Sequence, residues 1–408
     1  MMQIAPIAVV GTFDSKSEEH LFLKENIEAR GIGALTINVG TKAPCPFLPD
    51  FDLYHKICEE NPEGRDGAIG IAIRLARRLV GELHRKGLIS AIISAGGGTG
   101  THLGTSIMRV LPLGVPKVMV STVASRDMAN VVGTKDITMM HSVVDLLGIN
   151  SISGKILESA AGAVCGMVRC QWKPERKKKR IALSFFGFIT PAAEQVKHSL
   201  EQLGYETVAF HANGTGGMAM EELAAEGHFH GILDLATHEF ADEMMGGYCR
   251  GIGPQRLRPV PGKDIPRLVV PGGLDCAVLE FTRDNVPEEH KDRKLFFYDF
   301  RSAIRLSADE TLSIARQLIE RLNHGTKNTR ILIPRAGWSE ADREGGPLYD
   351  PGISEILIHQ LRRGLDSQIE IIEAELHIND PDFARLASMT MHNMLDPVHA
   401  FSSKSHLK

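Results

Sequence analysis

A glycine-rich turn is the first feature of this sequence that suggests chemistry. Residues 92–104 read IISAGGGTGTHLG, and four of the five residues from Gly96 to Gly100 are glycine. The backbone N–H groups of such a turn, with the positive end of a following helix, form a site suited to phosphate. A tight connection between a strand and a helix uses glycine as well. Both interpretations stay open from the sequence.

The turn matches neither of the two common nucleotide motifs. The Walker pattern is absent, because no Gly-Lys-Ser or Gly-Lys-Thr follows the glycines. The dinucleotide fingerprint requires an acidic residue at the end of the next strand, where this sequence has Ser121 and Thr122. The glycines by themselves therefore predict an anion site without defining the anion.

Two further stretches place hydroxyl, cationic and acidic groups near predicted strand ends. GTFDSK contains Thr12, Asp14 and Lys16, and GTKD contains Lys135 and Asp136. A lysine ammonium can neutralise phosphate, and a carboxylate can hold Mg²⁺ or a ribose hydroxyl. Ligands of doubly wound sheets bind outside the carboxyl ends of the strands. We therefore expect these groups to converge with the glycine turn in one site.

The second half of the chain offers a separate set of polar groups. Its candidates for acid–base chemistry lie in or next to predicted strands, and they are His211, Asp234 and His377. The zinc motif HExxH is absent. These residue types therefore permit catalysis without identifying a reaction.

Other polar residues of this half have structural explanations. Glu239, Asp242 and Glu243 fit the first turn of a helix, where acidic side chains are favoured. Asp380 precedes a proline and is expected to be a helix N-cap. Cys276 follows PGGLD and is expected to be a buried structural cysteine.

Strands and helices alternate along the whole chain, which predicts an α/β fold. The apolar run ISAIISA at residues 89–95 is typical of a strand buried on both faces of a parallel sheet. The basic stretch KPERKKKR, about 173–180, is most simply a solvated linker. We predict two doubly wound, Rossmann-like domains with mostly parallel sheets, 1–174 and 180–408, and a ligand cleft between them.

Composition restricts the partners and the compartment. The 408 residues carry a net charge of −4 and are 43% hydrophobic, so neither nucleic acid nor an anionic membrane is an expected partner. The six cysteines include no CxxC pair, which argues against disulfides and a structural zinc site. There is no membrane-length apolar run and no signal peptide pattern. We expect a cytoplasmic protein that binds a small molecule.

Six motifs in a fixed order resemble the Tm-one-like ATP-binding domain family: GTFDSK, GGGTGT, GTKDITMMHSVVD, FHANGTGG, GGPLYDP and HINDP. The resemblance covers essentially the whole chain. It implies a two-subdomain α/β protein that binds ATP and associates as a homodimer or a higher homo-oligomer. We expect Mg²⁺ to accompany the ATP, held by Asp14 or Asp136. The residues that the resemblance assigns to the nucleotide are Thr12, Asp14, Lys16, Gly96, Gly97, Gly98, Thr99, Gly100, Thr101, Thr122, Lys135 and Asp136.

Two positions depart from the expected family pattern, and two other functions remain open. Arg126 stands where the family usually has glycine, and Met218 where an arginine is common. The first alternative is an isomerase, lyase or hydrolase of a sugar acid or phosphorylated metabolite, acting through the three second-half candidates in the interdomain cleft. The second is a non-catalytic, nucleotide-regulated interaction protein.

Overall fold

The structure, a computed structural model, describes residues 4–170, 172–173, 177–324 and 328–396. The chain divides into two compact units, Met1–Pro174 and Glu175–Lys408. The predicted linker, about 173–180, falls at this division, and its residues 174–176 lie outside the described residues.

Unit 1 contains a six-stranded sheet in which every adjacent pair of strands is parallel. The strand order is β3-β2-β1-β4-β5-β6. The strands are β1 (Ile7–Gly11), β2 (Ala34–Asn38), β3 (Phe51–Asp52), β4 (Ala91–Gly96), β5 (Lys117–Ser121) and β6 (Thr138–His141). The helices described in this unit are α1 (Phe13–Glu28), α2 (Tyr54–Glu59), α3 (Gly64–Arg85), α4 (Gly98–Met108), α5 (Ala129–Val132) and α6 (Ser153–Met167).

The central strands of unit 1 are buried on both faces, as the apolar run at residues 89–95 predicts. Alternate side chains of β1 enter two different cores because strand side chains point to opposite faces. Ala8 and Val10 pack in one cluster with α3 and α4, whereas Ile7 and Val9 pack in another with α1 and α6. Helices therefore cover both faces of the sheet. The ends of the strands are not covered by these helices.

Unit 2 repeats this architecture with a second six-stranded parallel sheet, in the order β15-β14-β10-β9-β7-β8. The strands are β7 (Arg180–Phe185), β8 (Glu206–His211), β9 (Gly231–Ala236), β10 (Arg267–Gly272), β14 (Thr329–Pro334) and β15 (Glu370–Ala374). The helices described in this unit are α7 (Thr190–Gln202), α8 (Thr215–Glu226), α9 (Glu239–Met245), α10 (Ala308–Asn323), α11 (Pro351–Gly364) and α12 (Pro381–Leu395). The predicted fold class, two doubly wound Rossmann-like units, is confirmed.

A small antiparallel sheet is inserted in unit 2, and the sequence did not predict it. It consists of β11 (Cys276–Leu279), β12 (Leu295–Phe297) and β13 (Ser302–Arg305), in the order β11-β13-β12. A strand is predicted at 295–299 as part of the parallel alternation, but this strand pairs antiparallel with β13 instead. The reason is that β11 and β13 are short strands, so their pattern in the sequence is weak.

Each sheet has one topological switch point, where the chain leaves one side of the sheet and continues on the other. In unit 1 it lies between β1 and β4, and in unit 2 between β7 and β9. Crevices form outside the carboxyl ends of the strands at such points, and ligands of doubly wound folds bind there. Across the described residues, no helix combines the length and apolar character needed to cross a bilayer.

Candidate functional site

The switch point of unit 1 opens into a pocket of about 310 Å³. It lies outside the carboxyl ends of β1 and β4, with the loop after β2 and the start of α3 as further walls. The residues that line it are Thr12, Asp14, Ser15, Lys16, Thr41, Lys42, Arg65, Gly96, Gly97, Gly98, Thr99, Gly100 and Leu103. The structure thus brings the GTFDSK stretch and the glycine turn together.

The glycines of the turn are required for two different reasons. A Cβ at Gly96 would lie 2.8 Å from the Cα of Gly100, so the turn itself excludes a side chain there. A Cβ at Gly98 would meet no described atom within 4 Å beyond its own local backbone, and the φ of Gly98 is not positive. Neither sterics nor backbone conformation therefore explains Gly98. Its bare backbone leaves open space on the pocket side.

Helix α4 begins at Gly98 and directs its free N–H groups toward this space. Gly97 is the N-cap residue, no side chain of the described residues caps the helix, and its first turn contains no acidic residue. The first N–H groups of a helix have no partner within the helix, and the helix dipole adds partial positive charge at this end. Arg65 donates a hydrogen bond from Nη2 to Oγ1 of Thr99 at 3.2 Å, which places a guanidinium beside the first turn.

Two lysines contribute to the pocket in different ways. The backbone N–H of Lys42 donates to Oδ2 of Asp14 at 2.8 Å, which holds the loop after β2 against the first turn of α1. The side chain of Lys42 is exposed at the pocket wall. Lys16 lines the pocket as well, but its Nζ donates to the carbonyl of Leu146 and lies 3.9 Å from Glu19. Lys42 is therefore better placed than Lys16 to meet an anion.

His20 supports the site from below, and sequence reasoning missed it. Its ring is buried between β1 and β4. Nδ1 donates to the carbonyl of Lys16 at 2.7 Å, and Nε2 accepts from the N–H of Ala95 at 3.3 Å. Burial lowers the pKa of His20, which favours the neutral ring that this pair of bonds requires. His20 thus joins the loop after β1 to the end of β4.

Thr101 and Thr122 lie next to the turn and do not line the pocket. Thr101 is buried, and its hydroxyl shares a hydrogen bond of 2.7 Å with Ser121. The N–H of Thr122 donates to the carbonyl of Gly96 at 3.1 Å, and its Oγ1 would lie 3.7 Å from a Cβ at Gly97. Both residues brace the glycine turn against the end of β5.

Lys135 and Asp136 do not converge with the glycine turn, and their predicted position is wrong. Asp136 pairs with Lys117 at 2.7 Å and accepts the N–H of Gly114 at 2.8 Å, both at the amino end of β5. The long connection after β5 passes through α5 and crosses back over the sheet before β6 begins. GTKD is the far end of that connection, so the carboxylate of Asp136 lies at the opposite edge of the sheet from the pocket.

In unit 2, Asp234 belongs to a buried cluster of charges and is not accessible to a ligand. It pairs with Arg256 at 2.7 Å and with Arg267 at 2.8 Å. Glu221 and Glu239 complete the cluster, and all five side chains are buried. Burial acts to raise the pKa of Glu221, but the two guanidinium groups outweigh it and lower that pKa. Its two guanidinium groups face three carboxylates, and each of the five side chains forms an ion pair within the cluster.

The two histidine candidates of unit 2 also differ from each other. His377 is buried, with Nε2 3.0 Å from the carbonyl of Ser339 and Nδ1 accepting from the N–H of Asn379 at 3.2 Å. His211 is exposed at the end of β8, and partial burial, His238 and Arg301 lower its pKa. His377 therefore has a structural position, and His211 alone could meet a ligand.

The acidic residues and the cysteine to which the sequence assigned structural roles in unit 2 mostly occupy the predicted positions. Asp380 is the N-cap residue of α12, but its carboxylate accepts the N–H of His377 at 2.8 Å instead of capping the helix. Glu239 and Asp242 lie in the first turn of α9, as predicted, and both are fully buried. Cys276 is buried, as the sequence predicts.

Family models match both units of the chain. The model described as "Uncharacterised protein family (UPF0261) N-terminal domain" matches residues 5–173, and the corresponding C-terminal domain model matches residues 178–395. The chain belongs to the UPF0261 family.

Relatives in bacteria and in a plant extend this assignment. A UPF0261 protein of Clostridium tetani is 37% identical, with 96% of this chain and 99% of the relative covered. One from Rhizobium meliloti is 34% identical, with 96% and 99% covered. The ToMV resistance protein Tm-1(GCR237) of Solanum lycopersicum is 32% identical over 92% of this chain and 54% of its own length. The predicted resemblance to Tm-one-like proteins is confirmed.

The two departures from the family pattern lie outside the unit 1 pocket of this UPF0261 chain. Arg126 is exposed in the turns after β5 and is not among the residues that line the pocket. Met218 lines a mainly apolar pocket of about 380 Å³ in unit 2, beside Ile252 and Pro254. Neither residue alters the glycine turn or its cationic wall.

Proposed function

We propose that unit 1 binds the phosphate groups of a nucleotide in the pocket at its switch point. The observation that carries the proposal is the open space over Gly98, for which the protein itself gives no steric or conformational reason. The uncapped first turn of α4 faces this space, and an anion at a helix N-terminus is held by free N–H groups and by the helix dipole.

The cationic side chains supply the remaining charge complementarity. Lys42 and Arg65 line the pocket from the loop after β2 and the start of α3, and the guanidinium of Arg65 lies beside the first turn of α4. Charge-assisted hydrogen bonds to phosphate are about twice as strong as neutral ones. A ligand with several phosphate groups uses both the helix end and these side chains.

ATP is the nucleotide to test first, because the motifs of this chain resemble those of Tm-one-like ATP-binding domains. Of the two carboxylates predicted to hold Mg²⁺, only Asp14 lines the pocket. One of its oxygens already accepts the N–H of Lys42, and the other would hold the ion together with phosphate oxygens. Asp136 does not fit this role, because it pairs with Lys117 at the other edge of the sheet.

Calorimetry on the full chain tests the proposal directly. ATP, ADP and AMP are titrated with and without Mg²⁺, and we expect affinity to fall in that order because each phosphate lost removes contacts with the helix end and the cations. We further expect Mg²⁺ to strengthen ATP binding in the wild type and less in Asp14→Asn. Absence of heat with all three nucleotides at millimolar concentration would overturn the proposal.

Charge variants locate the site. Lys42→Ala and Arg65→Ala are each expected to weaken ATP binding about tenfold, the loss of roughly 1.4 kcal/mol that one charged contact represents. Lys86→Ala is the matched control, since Lys86 is exposed at the opposite end of α3 from Arg65. Equal affinities for Arg65→Ala and Lys86→Ala would place the nucleotide elsewhere.

The proposal concerns binding and includes no reaction. Of the three residues that the enzyme hypothesis needs, Asp234 and His377 are buried and already engaged, so no specific observation favours a second function. Association of this chain into a homodimer or higher homo-oligomer remains a prediction from the family resemblance, and light scattering of the purified chain checks it.

A further inference from the structure

Three metal-ligating side chains meet in the interior of unit 2, away from the pocket of the proposed function. His238 follows β9, Asp242 lies in α9 four residues later, and Cys249 follows α9. Their nitrogen, oxygen and sulfur atoms all lie within 4.8 Å of one another, and His238 Nε2 is 3.4 Å from Asp242 Oδ1. In a tetrahedral zinc site the ligand atoms are about 3.3–3.8 Å apart. A small contraction would therefore suffice to place these atoms around one ion.

The imidazole of His238 is held in the orientation that a metal ligand requires. Nδ1 donates to the carbonyl of Gly273 at 3.0 Å, which leaves Nε2 as the nitrogen that faces the cluster. Phe186 stacks on the ring, with centroids 4.2 Å apart and planes inclined by 8°. A metal-bound histidine typically donates its other N–H to a carbonyl or carboxylate in this way.

The nitrogen that faces the cluster lacks a hydrogen bond. His238 Nε2 is fully buried and has no hydrogen-bond partner of acceptable geometry among the described residues. A buried polar atom without a partner is costly, and the cost is removed when the atom gains a ligand. This unpartnered nitrogen points to an occupant between it, the carboxylate and the thiol.

The carboxylate is fixed as firmly as the imidazole. Asp242 Oδ1 accepts the N–H of Val278 at 2.7 Å, and Oδ2 accepts the N–H of Cys249 at 2.6 Å. A Cβ at Gly247 would lie 2.7 Å from Asp242 Cγ, so the chain packs closely over the carboxylate. Each oxygen keeps a further lone pair. The thiol of Cys276 is also buried and lies near the imidazole of His238, outside the three ligand atoms that are within 4.8 Å of one another.

We propose that His238, Asp242 and Cys249 bind one divalent metal ion that prefers thiolate and imidazole ligands, Zn²⁺ first, and that the nearby Cys276 moves toward the ion to supply the fourth ligand. One nitrogen, one oxygen and two sulfur atoms form a closed tetrahedral set, the arrangement of a structural zinc site. On binding, each thiol loses its proton to the solvent and His238 coordinates through neutral Nε2. The ion would join the segment after β9, α9 and the start of β11.

The contacts also allow an arrangement without metal. In it His238 is protonated at Nε2, and the imidazolium forms an ion pair with Asp242. The two arrangements differ in metal content and spectrum, so the experiment separates them. The full chain is purified without a histidine tag or chelator from cells grown with added zinc, and its metal content is measured by mass spectrometry. We expect about one equivalent of zinc per chain. Less than a tenth of an equivalent would overturn the proposal in favour of the proton.

Cobalt substitution reports the ligands. Co²⁺ in the site is expected to give the intense visible bands of a tetrahedral ion and a thiolate-to-cobalt charge-transfer band in the near ultraviolet. Cys249→Ser should lose most of the metal, whereas Cys165→Ser, which changes a buried cysteine of unit 1, should retain it. A folded Cys249→Ser variant that keeps a full equivalent with an unchanged spectrum would contradict the assignment.

A measurement on the wild type covers the case in which Cys249→Ser does not fold. X-ray absorption at the zinc edge is expected to show two sulfur ligands near 2.3 Å and two lighter ligands near 2.0 Å. A shell of oxygen and nitrogen alone would overturn the assignment of both cysteines. Because unit 1 contributes none of these residues, loss of zinc should leave nucleotide binding by unit 1 unchanged, and failure of either proposal can be seen separately.

Discussion

The two switch points of this protein have the same topology, but one is an open crevice and the other is occupied by a side chain. In unit 1 the crevice between β1 and β4 is open, and its floor is the glycine turn. In unit 2 the corresponding position between β7 and β9 is filled by Phe186, which stacks on His238 and would collide with a Cβ at Gly273. Strand order therefore creates a crevice in each unit, and side-chain volume decides whether it stays open.

Charge is distributed differently in the two units as well. In unit 1, Lys42 and Arg65 are exposed at the pocket wall. In unit 2, Arg256 and Arg267 are buried among three carboxylates. Exposed cations are available to a ligand, whereas buried ones hold the fold together.

The largest expected effect comes from breaking the buried charge cluster of unit 2. Arg256→Ala leaves Arg267 alone with three buried carboxylates and should reduce the free energy of unfolding by about 3–5 kcal/mol. Urea unfolding followed by the fluorescence of the buried Trp338, in a Trp172→Phe background, measures this loss.

The neighbouring Arg258 provides the control. Its pair with Glu320 is largely exposed, so Arg258→Ala should cost about 0–1 kcal/mol. ATP affinity at unit 1 should not change in either variant. A similar loss of stability for both arginines would show that burial is not what distinguishes them.

A smaller effect separates the two roles of glycine in the turn of unit 1. Gly96→Ala places a methyl group against the Cα of Gly100 and should cost about 1–3 kcal/mol of stability. Gly98→Ala meets open space, so we expect thermal stability to be unchanged or slightly higher and ATP binding to weaken. Thermal unfolding and calorimetry on both variants test these two expectations. If Gly98→Ala binds ATP as tightly as the wild type, the open space over Gly98 is not the phosphate site.

The smallest effect is a pH dependence that belongs to unit 2. Burial and the neighbouring Asp342 raise the pKa of Asp275 to about 6, although Arg305 opposes the shift. A raised carboxyl pKa means that the folded state binds more protons than the unfolded state between about pH 4 and pH 6, so stability falls as pH rises through that range.

Asp275→Asn should remove the fall in stability that the raised pKa of Asp275 causes, so the variant should have a higher free energy of unfolding than the wild type at pH 7. Urea unfolding of the variant and the wild type at pH 4, 5, 6 and 7 checks the sign. Parallel pH profiles for the two proteins would show that folding does not raise the pKa of Asp275.

Sequence reasoning succeeded where a pattern is local. The run at residues 89–95 contains most of the buried strand β4 (Ala91–Gly96), and the glycines at and after its end form the strand-to-helix turn. Lys42 was missed although it follows β2 in the stretch NVGTK, which the strand-end rule could have included. Arg65 has no comparable signal, because it enters the site from the start of α3.

The errors came from connections whose path a sequence does not give. Lys135 was placed at the carboxyl edge because it follows a strand, but the connection crosses the sheet before reaching it. Asp234 was a candidate because it is an acid inside an apolar strand, but it is paired with two side chains from distant segments, Arg256 at 2.7 Å and Arg267 at 2.8 Å. Such partners are set by tertiary packing.

The sequence by itself determined the two α/β units, the family and a glycine turn able to receive an anion, because alternation, motif order and glycine content are local properties of a chain. Only the tertiary structure decided that Gly98 faces open space, that Lys42 and Arg65 share its pocket, and that the switch point of unit 2 is closed. The physical reason is that accessibility and charge pairing depend on which segments pack together, and here those segments are far apart in sequence.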